Sequence, residues 1–389
     1  MTVTDVNGEA AKLGRDFIRQ SPVQRVDVAV DGLHRRDTAQ RLEDITTADI
    51  AGVKNLRHAS EHAKQPITNE AVCVGDEADY DGLFIMRICD AHCHFFSSRF
   101  LELLTAGHPA FGGANRADAV LHQLGWDNPG PAESLADRWV TELDNRQVAR
   151  AAMIASIPGD EESVDAAVRR HPSRLVGFFM FNPAAGEVSS RLARTLNSGT
   201  LRGICLFPAM HGYRLDDERV KEVFVAAGER RRTVFVHCGV LTVGVRKKLG
   251  LPSPFDLRLG DPLALASVAS RFPDVPVIIP HFGAGMLREA LMAVEQCSNI
   301  HLDTSSSNSW MKYYPGLTLD QVFRQVMAVA GPDRILFGTD SSFFPRGWQQ
   351  PVYDTQDATL RTIAIAPDDR EKIFGGNFDR LFPIEESAS

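Results

Sequence analysis

From Leu83 onward, short apolar runs rich in β-branched and aromatic residues alternate with segments whose apolar positions recur at helical spacing. Eight runs predict strands: 84–92 (FIMRICDAH), 147–156 (QVARAAMIAS), 175–183 (LVGFFMFNP), 201–208 (LRGICLFP), 233–239 (TVFVHCG), 276–283 (PVIIPHFG), 299–306 (NIHLDTSS) and 335–342 (ILFGTDSS). Between them the helix signals are explicit. Asp261 and Pro262 supply an N-cap and a first-turn proline, followed by Leu265, Val268, Ala269 and Phe272 at i, i+3, i+4, i+7. Leu287, Ala290, Leu291 and Val294 repeat that spacing, as do Leu319, Val322, Phe323 and Val326. These stripes are core-facing surfaces.

Strand alternating with helix over about 300 residues predicts an α/β protein, a (β/α)₈ TIM barrel spanning 83–389. An open doubly wound sheet needs a glycine-rich nucleotide fingerprint to compete, and the chain carries none. Residues 1–82 break the rhythm. They are polar and rich in Arg, Asp, Thr and Ala, and read as an N-terminal extension with one or two amphipathic helices between Asp37 and about Lys64. His58 and His62 stand at i, i+4 there, a spacing that can bind a metal, although a solvated helix face is the simpler reading.

Composition narrows the picture. The chain has 389 residues, 44% hydrophobic and 24% charged, the balance of a soluble globular protein. A net charge of −8 and a pI of about 5.9 argue against a nucleic-acid partner. No run approaches the roughly 20 apolar residues that span a bilayer, and the first residues lack the apolar region of a signal peptide. A cytoplasmic protein acting on a small molecule, without a membrane or nucleic-acid partner, is expected. Six cysteines in so long a chain are not a disulfide scaffold.

The candidate chemistry lies where the strands end, because barrel enzymes place their active sites at the C-terminal face. The first strand closes on Asp90-Ala91-His92-Cys93-His94, the fifth on His237, the sixth on His281 and the eighth on Asp340. Alternation along a strand points His92 and His94 to one face and Cys93 to the other. Two imidazoles from one strand can grip one cation, and His237, His281 and Asp340 can converge on it across the mouth. Neutral imidazole and carboxylate suit Zn²⁺, and also Mn²⁺ or Fe²⁺.

Long connections surround that mouth. The one after the first strand, 95 to about 132, holds Phe96, Arg99, Phe100, His108, Phe111 and Trp126; another, 240–260, holds Arg246 and Arg258. Trp310, Tyr313 and Tyr314 follow the seventh strand, and Phe343, Phe344, Arg346 and Trp348 the eighth. Aromatic groups with a few guanidiniums suit a small, flat substrate bearing a carboxylate. Arg99, Arg246, Arg258, Arg346 and Trp310 are therefore candidate substrate contacts, as is His211 after the fourth strand.

The runs DAHCH, FVHCG, IIPHFGAG, FGTDSSFFP and KIFGGNFDRLF together resemble the amidohydrolase superfamily over about residues 84–383. The resemblance is to the amidohydrolase-related branch that includes aminocarboxymuconate-semialdehyde decarboxylase. It implies one divalent metal ion, zinc first, held by His92, His94, His237 and Asp340, with His281 beside the water as acid/base and Asp340 as proton acceptor. It implies hydrolysis of a small carboxylated or cyclic amide or lactone by a metal-activated water. The alternative is non-oxidative decarboxylation of an aromatic or unsaturated acid, a carboxy-lyase activity; a non-catalytic binding protein is the third reading. Relatives often form homodimers. Many carry a lysine on the fourth strand, where this chain has Gly203-Ile204-Cys205; Cys205 is then either an extra soft ligand or a packed thiol.

Overall fold

The computed structural model describes residues 86–384 apart from 109–110, 112–115 and 307. The expected N-terminal extension, its helices and the His58/His62 pair lie outside the described residues. The strands are β1 (Ile88–His94), β2 (Val148–Ala155), β3 (Leu175–Phe181), β4 (Leu201–Leu206), β5 (Thr233–Val236), β6 (Val277–Ile279), β7 (Ile300–Asp303) and β8 (Ile335–Leu336). They pair in chain order in one parallel eight-stranded sheet. The sheet closes on itself between β1 and the chain following β8. Ala91 N–H donates to the Phe337 carbonyl at 2.8 Å, His94 N–H to that of Ser341 at 2.7 Å, and Asp340 N–H to that of His92 at 2.9 Å. The fold is the (β/α)₈ barrel that the periodicity predicts.

Burial divides along the pleat. Inward residues Cys89, Ala91, Ile154, Phe178, Cys205 and Phe235 fill the barrel interior, joined by Phe378 and Phe382 from beyond β8. Outward residues such as Met153, Phe179, Ile204, Val234 and Leu302 pack against the helix stripes. Cys205 is therefore a packed thiol of the inner core, and burial drives its pKa up. Beneath this core, buried Arg150 donates to Asp379 Oδ1 at 2.7 Å and to the Phe382 carbonyl at 2.6 Å, tying the plug to β2.

The expected cap at Asp261 forms, and a second cap appears at Thr318. Asp261 accepts the Leu263 N–H at the start of helix Pro262–Ala269, and Thr318 and Gln321 make a reciprocal capping box on helix Leu319–Ala330. Helix Leu287–Gln296 presents Leu287, Ala290 and Val294 to the core. The connection after β1 is less loop-like than its polarity suggests, because helices Ser98–Leu104 and Arg116–Leu124 fall within it. Among the described residues no helix is long and apolar enough to cross a membrane.

Strands β5 to β8 are shorter than their apolar runs. His281 has φ 55° and Asp340 φ 61°, left-handed conformations that cannot continue a ladder. The chain thus leaves the sheet just below each of these residues, and apolar character persists because the turn stays buried. Gly338 shows how tight this region is: a Cβ there would lie 3.0 Å from the Cβ atoms of both His92 and Ser305. Those atoms are fixed by backbone and cannot swing aside. Gly338→Ala is expected to lower the unfolding free energy by about 1–3 kcal/mol, the usual cost of overpacking; an unchanged urea midpoint would show that β1 and the chain after β7 can part without strain.

Candidate active site

Simple alternation does not by itself place both β1 histidines over the barrel. Below them Cys89 and Ala91 already point inward. A register shift between Asp90 and Cys93 sets three steps of β1 against two of β2, a bulge of one extra residue. Above the bulge the parity is reversed, so Cys93 turns out to the helix layer and His92 and His94 turn in. Asp90, fully buried, holds the bulge in place. It accepts the His92 N–H at 2.9 Å, the Thr339 N–H at 3.1 Å, the Thr339 hydroxyl at 2.5 Å and the Trp348 indole N–H at 2.7 Å.

Four imidazoles follow one another around the mouth. Ring centroids lie 5.1 Å apart for His94 and His92, 4.9 Å for His92 and His281, and 5.3 Å for His281 and His237. Asp340 faces this arc: its Oδ1 is 3.0 Å from His94 Nε2 and 3.7 Å from His92 Nε2. Ligand atoms of His92, His94 and Asp340 lie within 4.8 Å of one another, close enough to share one cation. The structure brings together the five residues that the strand ends mark out.

One carboxylate and two hydroxyls orient the rings. Ser156 Oγ lies 2.6 Å from His94 Nδ1, and Asp303 Oδ2 lies 2.9 Å from His92 Nδ1. Ser305 Oγ stands between His92 Nδ1 at 2.9 Å and His281 Nδ1 at 2.8 Å. Sequence reading missed Asp303 and Ser305. A signal was present: Asp303 is the one carboxylate of the strand IHLD and stands at its C-terminal end, as the other site residues do.

Burial lowers the pKa of His94, His237 and His281, so these rings are neutral at neutral pH. For His92 burial acts the same way, but the Asp303 carboxylate outweighs it and the pKa rises. Burial alone would raise Asp340; the hydrogen bond from His94 and the neighbouring imidazoles outweigh it and hold the carboxyl below its usual range. The result is a carboxylate among imidazole lone pairs, the donor set of a divalent cation site. His237 fits the same description: its Nδ1 is buried with no hydrogen-bond partner, so the protein itself does not assign that ring a role.

The candidate substrate contacts fare unequally. Arg346 donates to the Asp340 carbonyl at 3.2 Å and to Ser342 Oγ at 2.6 Å, and its guanidinium lies 4.5 Å over the Phe343 ring. Arg99 pairs with Glu102 and Arg258 with Asp256 on exposed surface, and Arg246 folds back onto the Pro252 carbonyl. Trp310 is buried and donates to Asn308 Oδ1 at 3.1 Å, packing the turn after β7. His211 is largely buried beside Tyr213, which brings its pKa down to about 4. On the β1 side an aromatic stack leads away from the cluster. His94 lies on Phe96, Phe96 on both Phe100 and Trp126, and Trp126 on Phe343, at centroid separations of 4.2–5.5 Å. The cavity beside this stack is only about 10 Å³, so the stack is a wall rather than a pocket.

Three solved structures share the fold. The 5-carboxyvanillate decarboxylase of Sphingomonas paucimobilis is 16% identical with a TM-score of 0.52, covering 77% of this chain and 100% of that one. An amidohydrolase from Burkholderia multivorans with bound zinc is 13% identical, TM-score 0.52, with coverage of 77% and 100%. The 5-carboxyvanillate decarboxylase of Novosphingobium aromaticivorans, complexed with manganese and 4-hydroxy-3-methoxy-5-nitrobenzoic acid, is 13% identical, TM-score 0.51, with coverage of 77% and 96%. No curated protein sequence matches the chain significantly. At such identities the likeness establishes the barrel. The sequence profile of the amidohydrolases goes further: it matches residues 89–384, from β1 to the plug beyond β8, and with that match the chain belongs to the amidohydrolase family.

Proposed function

We propose that the protein is a metal-dependent hydrolase of a small carboxylated or cyclic amide or lactone, with His92, His94, His237 and Asp340 holding one divalent ion, zinc first, or manganese or iron. The observation that carries this reading is the convergence of four imidazoles on one ionised carboxylate at the barrel mouth. A bound cation would supply Lewis acidity and ease deprotonation of water at neutral pH. Asp340 is placed to accept a proton from water, because its carboxylate is ionised and partly exposed. His281 faces the same space with a neutral ring and would act as acid/base there, taking a proton from a reacting oxygen and returning it. Arg346 is the guanidinium that would meet a substrate carboxylate, since it is anchored to the backbone of Asp340 itself.

Among the described residues the donor count supports one ion. The second possible grouping, His92, His281 and Asp303, reuses His92, and its members are already hydrogen-bonded to one another. Cys205, buried in the inner core, adds no ligand. A second reading, non-oxidative decarboxylation of an aromatic or unsaturated acid by a carboxy-lyase, is favoured by the aromatic wall running from His94 to Phe343.

Three measurements test the proposal. Elemental analysis should find one metal equivalent in the wild-type protein, and His237→Ala should lose it on gel filtration while keeping its circular dichroism spectrum. Full occupancy of the variant would remove His237 from the ligand set. Asp340→Asn keeps an oxygen ligand but no base, so turnover should drop about 10²–10⁴-fold with a smaller loss of metal; equal turnover would refute the base assignment. Products from a panel of lactones, amides and aromatic acids separate the two chemistries. Hydrolysis without carbon dioxide is expected, and metal-dependent carbon dioxide release would overturn it in favour of the lyase.

A further inference from the structure

We propose that Asp303 and Ser305 form a positioning pair that sets the tautomer of His92 and His281 together, leaving Nε2 of both rings unprotonated toward the mouth. The functional weight of this rests on the hydrolase reading above, but the hydrogen-bond argument does not.

Asp303 is fully buried, with backbone N–H groups pointing at Oδ1 and the His92 ring nitrogen at Oδ2, the surroundings of an acceptor at both oxygens. As a carboxylate it has only lone pairs to offer. Oδ1 accepts the Ser305 N–H at 2.8 Å, the His281 N–H at 3.1 Å and the Ser305 hydroxyl, which it approaches very closely. The single hydroxyl proton of Ser305 is therefore committed to Asp303. Ser305 Oγ is left with lone pairs, and the two atoms facing them are His92 Nδ1 and His281 Nδ1. Both must be N–H donors. Each has an independent second acceptor that requires the same answer. His92 Nδ1 lies 2.9 Å from Asp303 Oδ2, and His281 Nδ1 lies 3.2 Å from the Ser305 backbone carbonyl. A ring protonated at Nδ1 and neutral overall carries its lone pair on Nε2. One serine proton thus fixes two imidazoles on different strands. Each is then ready, one as a ligand and one as a proton acceptor, without a rotamer or tautomer change.

Substituting Asp303→Asn retains an oxygen for the backbone N–H groups but faces His92 Nδ1 with an amide donor. The His92 tautomer should invert, placing a proton on the ligating nitrogen. Zinc affinity, measured by chelator competition, is expected to fall by about 10–100-fold. Ser305→Ala removes the shared acceptor, yet leaves Asp303 against His92 and the backbone carbonyl against His281. It should weaken zinc binding only a few-fold and lower kcat about 10-fold with KM unchanged, and Ser305→Thr should restore kcat. Long-range ¹H–¹⁵N correlation spectra of ¹⁵N-histidine protein, metal-free and zinc-loaded, read the tautomers directly. A neutral His92 or His281 ring carrying its proton on Nε2 and not on Nδ1 in the wild type would overturn the proposal, as would wild-type zinc affinity in the Asp303→Asn protein. If no turnover is found with any substrate, the spectra and the zinc titration still decide the matter, so failure here is distinguishable from failure of the hydrolase reading.

Discussion

The hydrogen bond from Asp340 N–H to the His92 carbonyl is the contact on which the site depends, because it fixes one side of the metal-type cluster to the other. β1 and the chain after β8 are about 250 residues apart in sequence, and loop closure on that scale is costly in entropy. The seam offsets this cost by concentrating polar interactions. Asp90 gathers donors from both sides, and Thr339 and Ser341 join in turn. The ring of imidazoles is therefore assembled by the same bonds that close the barrel. Catalytic geometry and fold closure are here a single event in folding.

Much of this was legible in the chain. The eight apolar runs, the cap at Asp261 and the strand-end histidines all follow from local rules, since period, capping chemistry and strand polarity act over a few residues. Three features were not. The bulge in β1 depends on pairing with β2, so DAHCH gives the right inward pair for an incomplete reason. The left-handed turns at His281 and Asp340 fall on residue types that tolerate that region, but nothing local marks these positions out from the other histidines and aspartates of the chain. Asp303 was passed over although it stands at a strand end, because its role, like that of Ser305, lies in the partners it meets across the barrel.

The arginines give a similar lesson. Composition around the mouth suggested several guanidiniums for an anionic ligand, yet Arg99 and Arg258 find carboxylates within three residues in the chain and remain at the surface. Short-range pairing satisfies them more cheaply than insertion into a buried cleft. Arg346 has no such neighbour and settles against a backbone carbonyl and an aromatic face, where little competes with an incoming anion. Position within a tight turn, more than charge, separates it from the others.

The plug of Phe378 and Phe382 has a consequence for how the protein is made. These residues follow all eight strands in the chain, yet they complete the innermost core and are tied down by Arg150 on β2. On the ribosome, β1 to β8 emerge with the floor of the barrel open and Phe178 and Phe235 unsealed. The half-built barrel is then a binding surface for chaperones and for other nascent chains. The inner core is complete only once helix Asn377–Leu381 docks, so stalling or proteolysis just short of it leaves every residue of the candidate site present with no dry core beneath.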